Sequence, residues 1–181
     1  KEFVEDKGKA LDKVKKFYQT AKKFLEAEED FGFVIKSSMT FPRQAGIASS
    51  AAFFSALALA FVKAFGKILS EKDLSILARL SGSGSACRSV PDGFVWWHKG
   101  RSSNSSYAES IASVDFWDLR DLVVIVTYGK KETTSQSGHK GALTSPFFKD
   151  RLRSVRQRLK EIKKAFFNKD LEHFGEIIEH E

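Results

Sequence analysis

Cysteine, proline and methionine are scarce in this sequence of 181 residues, which has one Cys, three Pro and one Met. A single cysteine excludes an internal disulfide framework. The longest apolar run, residues 51–62, is broken by Ser55 and is too short to span a membrane. No His or Cys cluster has the spacing of a metal site, so no metal-ligating residue is assigned. With charged residues at its N-terminus rather than a signal peptide, the sequence predicts a cytoplasmic protein that has no membrane partner.

Acidic residues are outnumbered, because 30 Lys and Arg stand against 23 Asp and Glu and give a net charge of +7. This surplus fits an enzyme whose substrates are polyanions, and it also fits nucleic-acid binding. No aromatic-interleaved basic strand or zinc spacing is present, so we predict no nucleic-acid partner. Binding through the basic helix at residues 151–164 stays open as an alternative, and it predicts a salt-dependent affinity.

Small residues dominate positions 42–52, which read Pro-Arg-Gln-Ala-Gly-Ile-Ala-Ser-Ser-Ala-Ala. We predict a loop that leads into a helix, capped by Ser49 or Ser50, ending near Gly66 and buried on every face. The free N–H groups and the positive dipole end of such a helix favour an anion, most naturally phosphate. The same pattern is equally typical of an ordinary buried helix with a serine cap. It is not the Walker pattern, because no Gly-Lys-Ser/Thr follows the glycine.

Serine and glycine alternate in a second stretch, residues 81–89, which reads Ser-Gly-Ser-Gly-Ser-Ala-Cys-Arg-Ser. Its N–H groups, its hydroxyls and the Arg88 guanidinium form a second candidate anion site. Arginine suits this task because it grips a carboxylate or phosphate with two parallel hydrogen bonds. The alternative interpretation is a flexible linker, although a linker rarely carries Cys and Arg between an apolar helix and an apolar strand.

These two stretches and two later ones resemble the diphosphomevalonate decarboxylase family of the GHMP kinase superfamily. Residues 42–51 resemble the ATP-binding loop of the superfamily, Pro-x-x-x-Gly-Leu-x-Ser-Ser-Ala, and residues 83–89 resemble the decarboxylase motif Ser-Gly-Ser-Ala-Cys-Arg-Ser. Residues 93–96 resemble Gly-Gly-Phe-Val-x-Trp, and residues 144–149 resemble Thr-Ser-x-x-Phe-Lys. The motifs occur in the family's order and cover most of the chain.

The resemblance implies an α+β fold with two layers, a GHMP-kinase-like (ribosomal protein S5 domain 2-like) domain in which helices pack on a mixed sheet. It also implies that residues 1–181 form one domain portion, without the family's N-terminal hairpin region and C-terminal half. Apolar patterns predict strands at 31–39, 93–98 and 122–127, the last a central strand buried on both faces. They predict further helices at 1–26, at 70–80, after Pro146 and from Asp170 to Ile178.

The activity implied by the resemblance is ATP-dependent decarboxylation of (R)-5-diphosphomevalonate to isopentenyl diphosphate. The implied ligands are ATP, Mg²⁺ and a phosphorylated mevalonate, and a homodimer is a further expectation. Two alternatives stay open: a paralogue that acts on 5-phosphomevalonate or mevalonate (a phosphomevalonate decarboxylase or a mevalonate 3-kinase), and a non-catalytic remnant of the fold. The family's general-base aspartate and a lysine lie outside the matched portion, so the isolated chain is expected to be inactive.

The resemblance also assigns roles to individual residues. Ser50, or its neighbour, would reach a γ-phosphate oxygen or Mg²⁺, and Arg88 would hold the substrate carboxylate; these two are the catalytic candidates. Ser83 and Ser85 would contact the substrate, and Ser145 would lie near the substrate's own phosphate at a helix N-terminus. The implied ATP-binding residues are Gly46, Ile47, Ala48, Ser49 and Ser50.

Two segments depart from the family pattern. Asp92 stands where the family usually has Gly, which changes the turn after Arg88. Residues 128–144 form a basic, hydroxyl-rich stretch that, by resemblance, closes over the phosphates; a disordered surface loop is the alternative. Within it, residues 134–139 replace the family's Ser-Ser-Thr-x-Gly-Met, and this difference bears on substrate choice.

Overall fold

The computed structural model describes residues 9–42, 47–125, 138 and 141–180.

Helix α1, Lys9–Phe24, is amphipathic, as its sequence predicts. Apolar side chains at helical spacing, among them Val14, Phe17 and Ala21, are buried on one face of α1. The helix prediction for residues 1–26 is therefore confirmed over the part that the structure describes.

Helix α2, Ser49–Ala64, packs against α1 through aromatic side chains. The ring of Phe17 lies 5.8 Å from that of Phe54 and 5.6 Å from that of Phe61. The prediction that α2 is buried on every face is wrong, because Leu59 is 42% exposed. Ala56 and Ala60 share this exposed face, since the described elements pack against only part of the helix's circumference.

Glycine and serine delimit α2 and the next helix as predicted. Gly66 has a φ of 63°, a left-handed conformation that ends α2 without steric cost. Helix α3, Glu71–Arg79, begins at Ser70, whose hydroxyl oxygen accepts a hydrogen bond from Asp73 N at 3.1 Å. The same hydroxyl donates to the Asp73 carboxylate at 2.6 Å, so Asp73, at the position usual for Glu in a capping box, contacts the Ser70 side chain.

A 3₁₀ helix, Gly84–Ser89, leads into an antiparallel hairpin of strands β1, Phe94–Trp97, and β2, Ala108–Ala112. Trp97 pairs with Ala108 and Trp96 with Glu109, so the two tryptophans face opposite sides of the hairpin. The predicted strand at 93–98 is confirmed. Among the described residues, this pair is the whole sheet, and it is antiparallel where the resemblance implies a mixed sheet.

The other two predicted strands are wrong over the residues described. Residues 31–39 and 122–125 have no regular secondary structure, and Val34 and Leu122 are 85% and 88% exposed. A strand forms only where a neighbouring strand satisfies its backbone N–H and C=O groups. The described part of the chain supplies no such neighbour to either segment, and apolar composition alone cannot replace one.

The chain divides into two compact units, one within residues 1–129 and the other within 130–181. The core of the first unit is built from α1, α2, α3 and the 3₁₀ helix, with Phe17, Leu77 and Cys87 among its fully buried side chains. Two units can belong to one domain or to two, so the assignment of residues 1–181 to one domain stays a prediction.

The second unit contains helices α4, Phe148–Asn168, and α5, Leu171–Glu179. Asp170 caps α5 as predicted, with its carboxylate accepting from His173 N at 3.1 Å. Pro146 lies in a turn two residues before α4, not in its first turn. Across both units the structure is α+β, as expected. None of the described helices is both long and apolar enough to cross a lipid bilayer.

Candidate active site

The N-terminus of α2 carries only small side chains. Ala48 occupies the N-cap position with φ 57° and ψ 40°, and no side chain caps the helix. The prediction that Ser49 or Ser50 is the cap is therefore wrong, because the left-handed turn at Ala48 makes both serines the first residues of the helix. Neither hydroxyl is used for capping, and the first N–H groups of a helix have no partner inside it. This end of α2 therefore combines hydroxyls, N–H donors and the positive end of the helix dipole.

The Ser/Gly motif lies directly beside this helix terminus. The Ser50 and Ser83 hydroxyl oxygens are 3.5 Å apart, although 33 residues separate them in sequence. Ser83 is held in a tight turn: its N–H donates to Ser81 Oγ at 3.3 Å, and its carbonyl accepts from Ala86 N at 2.8 Å. The structure thus brings the two predicted anion-binding stretches together at one place.

The 3₁₀ helix that follows Ser83 is anchored in the core. Ala86 and Cys87 are buried, and the Cys87 thiol donates to Gly84 O at 3.2 Å. Burial raises the pKa of this thiol, which keeps it protonated at neutral pH. The alternative of a flexible linker is therefore wrong. Ser85 is half-buried and Arg88 is exposed, with its guanidinium carbon 5.9 Å from the centroid of the Trp97 ring.

A network that the sequence did not reveal holds this helix in place. Ser75 Oγ donates to Cys87 O at 3.1 Å and accepts from Ala108 N at 2.9 Å, so one buried hydroxyl joins α3, the 3₁₀ helix and β2. Arg79 binds the connection between β1 and β2, and Trp97 donates to Ser106. These partners are 9 to 33 residues apart, so no short sequence pattern predicts the hydrogen bonds between them. The sequence feature that could have pointed to this network is the pair of adjacent tryptophans in β1.

The remaining predicted residues lie in three places. Ile47 and Ala48 directly precede α2, whereas Gly46 lies outside the described residues. Ser145 belongs to the second unit, in the turn before α4, where its hydroxyl oxygen accepts from Phe147 N at 3.3 Å. Of the basic stretch at 128–144, residues 128–137, 139 and 140 also lie outside the described residues.

Comparison with known proteins shows relatives of one kind. The family model of the diphosphomevalonate decarboxylase-like N-terminal domain matches residues 2–108, and that of the mevalonate 5-diphosphate decarboxylase C-terminal domain matches residues 121–181. The diphosphomevalonate decarboxylase of Candida albicans is 40% identical over 148 residues, which are 79% of this chain and 41% of that protein. The human diphosphomevalonate decarboxylase is 37% identical over 148 residues, 79% of this chain and 36% of that protein.

Solved structures agree with the sequence relatives. The mevalonate diphosphate decarboxylase of Staphylococcus aureus superposes with a TM-score of 0.84 at 36% identity, over 97% of this chain and 53% of that one. A structure described as MDDEF in complex with MVAPP, AMPPCP and magnesium superposes with a TM-score of 0.78 at 34% identity, over 97% and 53%. The chain spans about half the length of these structures and less of the sequence relatives. Because a family model covers more than half of it, this chain belongs to the diphosphomevalonate decarboxylase-like family.

Proposed function

We propose that this chain supplies part of the active site of an ATP-dependent diphosphomevalonate decarboxylase. The reaction would convert (R)-5-diphosphomevalonate and ATP into isopentenyl diphosphate, carbon dioxide, ADP and phosphate. One observation carries the proposal: the N-terminus of α2 and the Ser/Gly motif meet at Ser50 and Ser83, with Arg88 on the 3₁₀ helix that follows. A family neighbour with MVAPP, AMPPCP and magnesium bound supports the ligand classes.

The N-terminus of α2 would bind the ATP phosphates. Phosphoryl transfer depends mainly on positioning and on charge stabilisation, and N–H groups at a helix N-terminus provide both. Ala48 and Ser49 have small side chains there, Ile47 directly precedes them, and Lys63 in the last turn complements the α2 dipole. Gly46, which lies outside the described residues, stays a predicted ATP-binding residue.

Mg²⁺ fits the same place by the chemistry of its donors. The hydroxyl oxygens of Ser49 and Ser50 are hard ligands of the kind that Mg²⁺ accepts, with phosphate oxygens supplying the rest. No group of three His, Cys, Asp or Glu side chains able to hold a metal occurs in the part of the chain that the structure describes. When bound with ATP, the ion would neutralise the negative charge on the phosphates.

Arg88 would hold the carboxylate that leaves as carbon dioxide. The substrate's tertiary hydroxyl is first phosphorylated; the bond to the carboxylate carbon then breaks, and its electron pair forms the double bond as phosphate departs. This step needs an ionised carboxylate, which a guanidinium both orients and keeps ionised. Ser83 and Ser85 would contact the substrate beside Arg88, and the substrate-binding role of Ser145, in the second unit, stays a prediction.

The test measures carbon dioxide and ADP released by the complete protein with ATP, Mg²⁺ and each of mevalonate, its 5-phosphate and its 5-diphosphate. We expect carbon dioxide from the 5-diphosphate, and an Arg88→Ala variant that loses about 100-fold or more of that activity, since a charge-assisted bidentate contact is removed. Arg120→Ala is the matched control, because Arg120 is 85% exposed and pairs only with Asp118 among the contacts described.

The other outcomes each overturn the proposal in a recognisable way. Carbon dioxide from the 5-phosphate alone would identify a phosphomevalonate decarboxylase, and ADP without carbon dioxide would identify a 3-kinase. Neither product from any substrate would identify a non-catalytic member of the family. The homodimer and the cytoplasmic location stay predictions.

A further inference from the structure

We infer that Trp97 is a positioning residue for Arg88, and that Arg79 sets the orientation of Trp97 through Ser106. This inference rests on the proposed function, because it concerns how the carboxylate-binding arginine is placed. Trp97 would touch neither substrate nor ATP, and its effect on the reaction would pass through the Arg88 guanidinium.

The indole of Trp97 lies beside the 3₁₀ helix, from its first residue, Gly84, to Arg88. At Gly84 the Cη2 atom of Trp97 lies so near that a Cβ on this residue would be 3.7 Å from it. At the other end, the guanidinium carbon of Arg88 lies 5.9 Å from the ring centroid, within the range of a cation–π contact. The ring therefore restrains Arg88 relative to the helix that carries it.

This kind of restraint leaves the arginine ready to bind an anion. No acidic side chain pairs with Arg88 in the part of the chain described, so no carboxylate of the protein neutralises it there. An aromatic face attracts the guanidinium without accepting its N–H groups in conventional hydrogen bonds. The N–H fork of Arg88 would then stay available for a substrate carboxylate, with fewer rotamers to lose on binding.

Trp97 is in turn held by a chain of hydrogen bonds that ends on α3. Its indole N–H donates to Ser106 Oγ at 3.2 Å, and Ser106 O accepts from Arg79 Nε at 2.9 Å. Arg79 Nη2 also donates to Ser103 O at 2.9 Å and to Ser103 Oγ at 2.8 Å. Arg79 is the last residue of α3, whose Leu77 and Ala78 are fully buried, so the chain is anchored to the core.

The hairpin provides a matched control for this role. Trp96 is the same residue type, one position earlier in β1, and it faces the opposite side. A loss of strand stability would follow from replacing either tryptophan. A loss of Arg88 placement would follow only from replacing Trp97.

The experiment is a double-mutant cycle on the complete protein, with kcat and KM measured for (R)-5-diphosphomevalonate and for ATP. We expect Trp97→Leu to raise the KM for the diphosphate about fivefold, which corresponds to the upper range of an exposed cation–π contact, and to change the KM for ATP less than about twofold. Trp97→Phe, which keeps an aromatic face, should recover most of this loss. Trp96→Leu should leave both KM values within about twofold of the unmodified protein.

The cycle's second arm repeats Trp97→Leu in an Arg88→Gln background. Glutamine is uncharged and makes no cation–π contact, so Trp97→Leu should raise the KM for the diphosphate there by less than about twofold. The inference is overturned if the full fivefold loss persists in that background, if Trp96→Leu matches Trp97→Leu, or if the KM for ATP rises equally.

Two further measurements keep the test decisive. If Trp97→Leu does not fold, Ser106→Ala replaces it. This variant removes the indole's acceptor, and it should raise the KM for the diphosphate about twofold in the unmodified protein and not in Arg88→Gln. If the unmodified protein releases neither carbon dioxide nor ADP, the proposed function fails and this inference falls with it. An active protein in which Trp97→Leu has no effect overturns the inference alone.

Discussion

At the scale of the residue, Ser75 shows how one hydroxyl can hold three elements. It is fully buried on α3 and both donates and accepts a hydrogen bond, to Cys87 O and from Ala108 N. A buried backbone group without a hydrogen-bond partner destabilises the folded state, because it has lost its hydrogen bond to water and gained none in return. The position of the 3₁₀ helix that carries Arg88 therefore depends on this side chain.

Replacing Ser75 with Ala should lower the free energy of unfolding by about 1–3 kcal/mol, because it leaves a buried N–H and a buried C=O unpaired. Ser110→Ala is the control: Ser110 is exposed on β2 and bonds only Ala112 O among the contacts described, so about 0.5 kcal/mol or less is expected. Urea denaturation followed by circular dichroism measures both. Equal effects of the two variants would contradict the role given to Ser75.

At the scale of the element, a polar contact joins α1 to the segment that follows it. Asp30 accepts from Tyr18 Oη at 2.8 Å and pairs with Lys22 Nζ at 3.0 Å, and both partners lie on α1. The hydrogen bond from Lys22, followed by that from Tyr18, lowers the pKa of Asp30 below its usual value of 3.8. The ionised carboxylate thus ties residues 25–30 back onto the helix.

This contact predicts how stability varies with pH. Because the pKa of Asp30 is lower in the folded protein than in the unfolded chain, its stabilising contribution is present above about pH 4 and is lost as the pH falls through the folded-state pKa. The difference in melting temperature between the unmodified protein and Asp30→Asn should therefore be largest near neutral pH and should shrink below about pH 4.

The control for this prediction is Glu29→Gln, which removes the neighbouring carboxylate. The Glu29 side chain is exposed, and no partner is found for it in the described part of the chain. Its melting temperature should differ little from that of the unmodified protein at either pH. A difference for Asp30→Asn that stays constant from pH 7 to pH 3 would show that the ion pair is not the cause.

At the scale of the whole molecule, stability is concentrated in the first compact unit. Phe17 is 1% exposed and its ring meets those of Phe54 and Phe61, so it joins α1 to α2 at the centre of the core. The second unit buries fewer apolar side chains in the part described, among them Ala165, Phe166 and Ile177.

Phe17→Ala should lower the free energy of unfolding by about 3–5 kcal/mol, because it removes a buried ring and leaves a cavity. Ile68→Ala provides the comparison: Ile68 is 96% exposed, so its removal should change stability by about 0.5 kcal/mol or less. Thermal and urea unfolding test both variants. A loss below about 1 kcal/mol for Phe17→Ala would show that this aromatic cluster is not the main core of the unit.

The sequence by itself determined the local features of this protein. Apolar spacing predicts α1, a Ser-x-x-Asp start predicts α3, Gly66 predicts the end of α2 and Asp170 predicts the start of α5. These signals succeed because a helix satisfies its own backbone and needs only a neighbouring cap and one apolar face. The two candidate anion-binding motifs can also be recognised from the sequence, since each is a short run of consecutive residues.

Tertiary structure alone decided what depends on distant partners. Residues 31–39 and 122–125 have the composition of strands, yet a strand exists only where another strand pairs with it. The approach of Ser50 to Ser83, the bond from Arg79 to Ser106 and the placing of Trp97 under Arg88 likewise join residues far apart in sequence. Such contacts are set by how the helices and the hairpin pack, and no short stretch of the chain encodes that packing.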